Sequence, residues 1–264
     1  HIVKSIAWIM SKTMKLSGAE SLSAAGNIFM GQTEAPLLVK PYIKNMTKSE
    51  LMCLMTGGMA TIAGGVFAAY VALLGGSDPQ ESIKFATILL TASIMNAPAG
   101  IVMAKIFYPE NKENKINRNL DLNKEDLGAN AIDALARGAS DGLKLAFNIA
   151  AMLLAFIAVV YMVNHFLGYV GDFTNLNNVI QLSTNGQFEK LSLEYILGQI
   201  FRIFAFIIGI NWNESALVGS LLGQKFVLNE FIAYVDLAQM KSESLLSEKS
   251  IIISTYALCG FANF

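Results

Sequence analysis

The sequence predicts an all-α integral membrane protein built on an inverted repeat, in which a re-entrant helical hairpin and a broken transmembrane helix occur twice, with a scaffold helix between them. Three observations predict it. Of 264 residues, 54% are hydrophobic and 15% charged, with a mean hydropathy of +0.48, whereas a soluble domain carries roughly 25% charged residues. The stretch Gly26-Asn27-Ile28-Phe29-Met30-Gly31-Gln32-Thr33-Glu34-Ala35-Pro36 is polar and broken by glycine and proline inside this apolar context. A bilayer tolerates such a segment only where it is buried in protein or lines a watery cavity. A second polar break, Asn229-Glu230-Phe231, lies in the other half of the chain. Polar breaks in corresponding places of two halves mark a secondary transporter with a central binding site. A carboxylate at that depth costs at least about 2.5–3.5 kcal/mol, which makes Glu34 a candidate functional group.

A first transport-domain repeat is expected over 1–127. Residues 1–16 set Lys4, Lys12 and Lys15 among Ile2, Val3, Ile6, Trp8 and Ile9, the pattern of the end of an interfacial helix. Residues 17–45 are too short to span twice and too apolar for a solvent loop, so a re-entrant hairpin is expected there, its tip near Gly31-Gln32. Pro36 stands where a second half-helix would begin, a favourable place for proline. Residues 50–75 are long enough to cross a bilayer, but Gly57-Gly58 and Gly64-Gly65 lie at their centre. That composition fits a broken helix and, equally, close helix packing through small residues. Residues 82–108 form a further spanning candidate, kinked at Asn96-Ala97-Pro98-Ala99-Gly100. The hydrophilic loop 109–127 mixes four basic with five acidic residues, giving the positive-inside rule little to act on.

The middle segment, 128–190, reads as a short interfacial helix at 128–142, a simple scaffold helix at 143–170 and a polar, Asn-rich loop. The second transport-domain repeat, 191–264, reads as an interfacial helix with Glu194 and Arg202, a re-entrant hairpin at 213–240 around Asn229-Glu230, and the start of a broken helix at 250–264. A counterpart of 82–108 is expected after Phe264. The start at His1 and the end inside an apolar run lead us to expect a fragment of a larger chain.

Composition also excludes function classes. With 19 basic and 20 acidic residues, net charge −1, no polyanion-binding surface is predicted, hence no nucleic-acid partner. Cys53 and Cys259 sit in apolar runs and read as small core residues. His1 and His165 lack the Cys or carboxylate neighbours of a zinc site. No Ser-His or Cys-His constellation points to an enzyme.

Three long motifs make the reading specific. Gly31-Gln32-Thr33-Glu34-Ala35-Pro36 resembles the first hairpin of the concentrative nucleoside transporter family. Gly223-x-Lys225-x-x-x-Asn229-Glu230-Phe231-Ile232-Ala233-Tyr234 resembles that family's signature, with Ile232 in place of its usual valine. Tyr256-Ala257-Leu258-Cys259-Gly260-Phe261-Ala262-Asn263-Phe264 resembles its second broken helix. The resemblance covers essentially the whole chain, in order.

The resemblance implies sodium-coupled symport of nucleosides into the cell by a homotrimer. Each protomer would be multi-pass in the plasma (inner) membrane and work by an elevator-type alternating-access mechanism. It implies no cofactor beyond sodium as the coupling ion. Gln32, Thr33 and Glu34 would contact the nucleobase, Glu230 and Asn263 the ribose, and Phe261 would lie beside the substrate. Asn27, Thr61 and the carbonyls of Met30 and Ile62 would bind sodium, while Gly31 and Thr61 would influence the choice between pyrimidine and purine. The chemistry agrees with these roles. An amide such as Gln32 answers both donors and acceptors of a base edge, and an ionised Glu230 accepts from two ribose hydroxyls with charge-assisted strength. Sodium is a hard cation and wants oxygen ligands.

Several alternatives stand beside these roles. Glu34 could be a structural ion pair with Lys40 or Lys225, Asn27 a helix cap, Phe261 plain core, and Glu20 a cap or interfacial charge. At the level of function, the alternatives are a proton-coupled nucleoside symporter of the same fold, with Glu34 or Glu230 carrying the proton, and a non-transporting membrane nucleoside-binding module.

Overall fold

The computed structural model describes residues 2–28, 31, 35–110 and 130–261, and among these all regular structure is helical. Helix α1 (Ile2–Met14) leads into α2 (Gly18–Asn27). Ser17 opens α2 with a capping box: its hydroxyl accepts from the Glu20 N–H at 3.2 Å, and its own N–H donates to Glu20 Oε2 at 3.0 Å, satisfying two otherwise orphaned donors. Helix α3 (Ala35–Val39) runs on into a 3₁₀ turn, Lys40–Asn45. A second capping box, Thr47 with Glu50, opens α4 (Lys48–Ala60).

The chain then leaves the helix. Thr61 is extended at φ −111°, ψ 165°, and α5 (Gly64–Gly75) begins three residues later. Gly57 serves packing, since a Cβ there would meet Asn27 Nδ2 at 3.1 Å, whereas Gly65 has nothing within 4 Å. The two readings of this glycine-rich segment therefore hold at different residues. Asp78 caps α6 (Pro79–Phe107), with Pro79 at its first position and Pro98 inside it.

Two expectations for the middle of the chain are corrected. The short interfacial helix at 128–142 and the scaffold helix at 143–170 form one continuous helix, α7 (Ala131–Phe173), 43 residues long. Gly138 and Gly142 are isolated and cost only about 1 kcal/mol each relative to alanine, too little to break a helix carried by apolar residues on both sides. It stops where Asn175 turns left-handed, at φ 61°. The expected polar loop at 171–190 contains α8 (Leu176–Ser183), whose Leu176, Val179 and Ile180 share a face, with Ile180 buried.

Helices α9 (Leu193–Ile207) and α10 (Trp212–Val227) turn on each other by 116°. They pack almost backbone to backbone, since a Cβ on Gly219 would lie 2.6 Å from the Gly198 carbonyl oxygen. Helices α11 (Glu230–Ser242) and α12 (Glu248–Leu258) follow. Among the described residues three segments are long and apolar enough to cross a membrane: 48–75 (α4 with α5), Pro79–Phe107 and Leu135–Phe173. The main core joins α5, α6, α10, α11 and α12 through Tyr70, Leu89, Leu221, Leu237 and Leu258. Smaller clusters hold α1 to α4 and the end of α6 together.

Candidate functional site

The site is built where the chain leaves two helices. After α12, Gly260 takes φ +126°, a conformation that side-chain-bearing residues rarely adopt. A Cβ there would also lie 2.8 Å from the carbonyl oxygens of both Met59 and Ala60. Glycine is thus demanded twice, and the exit from α12 is seated directly on the end of α4. Ile62, from the gap between α4 and α5, and Phe261, from the exit of α12, lie in the same core cluster with Tyr70 and Tyr234.

Glu230 opens α11 and is 4% exposed. Its position at a helix N-terminus favours an anion there. Asn229 caps that turn, its Oδ1 accepting from the Ile232 N–H at 3.0 Å. Tyr70, on α5, donates its hydroxyl to Glu230 Oε1 at 3.0 Å. The Tyr70 ring stacks on Tyr234, centroids 4.0 Å apart, and Tyr234 in turn donates to the Thr255 carbonyl at 2.8 Å. The carboxylate is therefore aimed by a chain of contacts running from α5 through α11 to α12.

Asn27 ends α2 and is 1% exposed, and neither its Oδ1 nor its Nδ2 has a hydrogen-bond partner among the described residues. Its amide lies against Gly57. The Gly57 carbonyl accepts from Thr61 Oγ1 at 3.2 Å, which leaves that hydroxyl oxygen's lone pairs able to accept or coordinate. Gly100 on α6 closes the same spot, since a Cβ there would meet Ala60 at 3.1 Å. An orphaned buried amide costs about 1–3 kcal/mol. A hard cation bound at Oδ1 relieves the oxygen's share of that cost, with Thr61 Oγ1 and carbonyls freed at the helix break as further oxygen donors.

Of the expected site residues, Ile62 and Phe261 share a core cluster with Tyr70, which holds Glu230, while Asn27, at the end of α2, and Thr61, next to Ile62, meet at Gly57 of α4. Gly31 is buried, and its carbonyl accepts from the Ala35 N–H at 3.0 Å. Met30, Gln32, Thr33, Glu34 and Asn263 lie outside the described residues, as does nearly all of the expected loop 109–127. Sequence reasoning missed Tyr70 and Asn96, the latter donating to the Cys259 carbonyl at 3.1 Å. The one signal for either was a polar atom inside an apolar helix. Glu20 closes the α2 capping box and pairs with Lys105, which also donates to Ser49.

Comparison with known proteins completes the picture. A family model described as the C-terminus of the Na+ dependent nucleoside transporters matches residues 88–264. A second, described as a nucleoside recognition gate, matches 1–77. Solute carrier family 28 member 3 of Mus musculus is 41% identical over 277 residues, covering 100% of this chain and 36% of its own length. Sodium/nucleoside cotransporter 1 of Homo sapiens is 40% identical over 278 residues, covering 100% and 39%. An uncharacterized transporter of Haemophilus influenzae is 40% identical over 267 residues, covering 100% and 59%. The chain therefore spans between about a third and three fifths of these relatives. Among solved structures, CNTnw in an inward-facing substrate-bound state has a TM-score of 0.80 at 40% identity, over 100% of this chain and 58% of that one. A CNTnw variant in an outward-facing state has 0.81 at 39% identity, over the same shares.

Proposed function

This chain belongs to the Na+ dependent nucleoside transporter family, and from that premise we propose that it forms part of a sodium-coupled nucleoside symporter. The family is one of transporters, not enzymes, and its members are integral membrane proteins. The observation that carries the sodium reading is Asn27, a fully buried amide without a hydrogen-bond partner among the described residues, lying against Gly57, whose carbonyl accepts from the Thr61 hydroxyl.

In this reading Asn27 Oδ1, Thr61 Oγ1 and the carbonyls of Met30 and Ile62 take the ion. Glu230, held by Tyr70, takes two ribose hydroxyls together with Asn263. Phe261 flanks the substrate, Gln32, Thr33 and Glu34 read the base, and Gly31 and Thr61 tune the choice of base. Asn27 ends the helix that leads into Gln32 and Glu34. Sodium bound there fixes the segment that reads the base, so ion binding precedes and strengthens nucleoside binding, and coupling follows from differential affinity. The inverted repeat of re-entrant hairpin and broken helix, the elevator movement and the homotrimer belong to the same proposal. They rest on the family and on the way the two helix breaks meet at Gly260.

The test is radiolabelled uridine uptake by proteoliposomes of the complete protein, with an inward sodium gradient and then with choline in its place. Accumulation that needs sodium is the expected result. Accumulation driven by a pH gradient alone would transfer coupling to a proton. Binding of uridine without accumulation under either gradient would reduce the protein to a membrane binding module.

A further inference from the structure

Lys225 stands in the last turn of α10 and has no role in the site as proposed. Its Nζ donates to the Ala257 carbonyl at 3.0 Å, in the last turn of α12, and it interacts electrostatically with Glu230. A lysine in such an apolar setting persists where acids or backbone carbonyls partner it, and the carbonyl end of a helix is where a cation is stabilised. Two neighbours reach the same helix end, Tyr234 to the Thr255 carbonyl and Asn96 to the Cys259 carbonyl. The end of α12 is thus held by donors from three other helices.

The two broken ends invite comparison. Helices α4 and α12 both open on a hydroxyl cap, Thr47 and Ser247. Gly57 and Ala257 stand equally far from those caps, and Ala60 and Gly260, equally placed again, touch each other. The Gly57 carbonyl accepts from Thr61 Oγ1, and the orphaned Asn27 amide lies against Gly57 itself. At the Ala257 carbonyl lies the Lys225 ammonium.

We propose that Lys225 is a tethered cation. Its ammonium holds the broken end of α12 as the coupling sodium holds the broken end of α4, so the second half of the site takes no sodium of its own. The inference rests on the sodium reading of Asn27 and Thr61. One half of the site then carries its cation on the chain, and only the other responds to the sodium concentration.

The experiment measures uridine uptake against sodium concentration, with the complete protein in proteoliposomes, for the parent, Lys225→Met and Lys225→Arg. Lys225→Met is expected to lower uptake at low sodium by about tenfold or more, the weight of a hydrogen bond from a charged group. Its sodium activation curve is expected to steepen from a Hill slope of about one toward two, as a second ion fills the vacated place. Lys225→Arg keeps the charge and is expected to keep the parent's slope. A Lys225→Met curve with the parent's midpoint and slope would overturn the inference, as would a steepened curve for Lys225→Arg. If Lys225→Met does not fold, the arginine variant decides alone. A parent whose uptake ignores sodium would instead overturn the symporter reading, which keeps the two failures apart.

Discussion

In the proposed site, Glu230 is the residue that would set substrate affinity. An ionised carboxylate offers about four lone-pair sites, and one is engaged by the Tyr70 hydroxyl at 3.0 Å. Tyr70 therefore orients the group without exhausting it. Glu230→Gln keeps the shape and removes the charge, so uridine binding should weaken by about 1.5–3 kcal/mol. Tyr70→Phe keeps the ring stack on Tyr234 and loses only the orienting donor, a smaller cost of about 0.5–1.5 kcal/mol. Calorimetric titration of uridine at saturating sodium measures both, and a larger loss in Tyr70→Phe would reverse the assignment. Thr61 is assigned to the ion in the proposed site. Thr61→Ala should raise the sodium concentration for half-maximal uptake, and an unchanged value would remove its hydroxyl from the ion site. Glu230 and Asn27 were legible in the sequence because each is polar where its surroundings are not. Tyr70 and Asn96 were not legible as partners, because the groups they hold lie far along the chain, at Glu230 and Cys259.

At the scale of elements, the breaks matter more than the helices they interrupt. Gly260→Ala places a Cβ 2.8 Å from two carbonyl oxygens at φ +126°. Backbone strain alone costs about 1–3 kcal/mol, and the seat on Ala60 must open as well. Gly65→Ala is the control: its Cβ meets nothing within 4 Å inside α5, where alanine gains about 0.5–1 kcal/mol. Thermal unfolding in detergent should move down for the first variant and up or not at all for the second. Equal midpoints would mean that the break at Gly260 is not under this constraint. The caps Ser17, Thr47 and Asp78 start helices where segments were expected from 17, 50 and 82, and Asn229 caps α11 at the expected tip, yet none of them was singled out as a cap. The continuity of α7 was hidden by Gly138 and Gly142, whose helix penalty is small beside that of a proline. The asparagines of α8 concealed Ile180, which packs into the core.

At the scale of the whole molecule, the two halves are pinned together at one end by charge. Lys241, on α11, donates to the Leu74 carbonyl at 2.6 Å and to Glu81 Oε2 at 2.8 Å, and lies over the Phe85 ring at 4.4 Å. Lys84 bridges the same Glu81 to Glu248, at 3.2 and 2.6 Å. The corner between α5 and α6 is thereby fastened to the end of α11 and the start of α12. This ties the helices that carry Tyr70 to those that carry Glu230. If these helices travel as one body during transport, the fastening stays closed throughout the cycle and acts on stability alone. The partners are about a third exposed, so solvent screening limits the ion pair to roughly 1 kcal/mol. Lys241→Met should therefore lower the unfolding midpoint in detergent by about 2–4 °C. The uridine KM and the sodium dependence of uptake should match the parent. A stable Lys241→Met protein with slowed turnover would show that the fastening opens and closes during transport, and the hinge would then lie between α5 and α11.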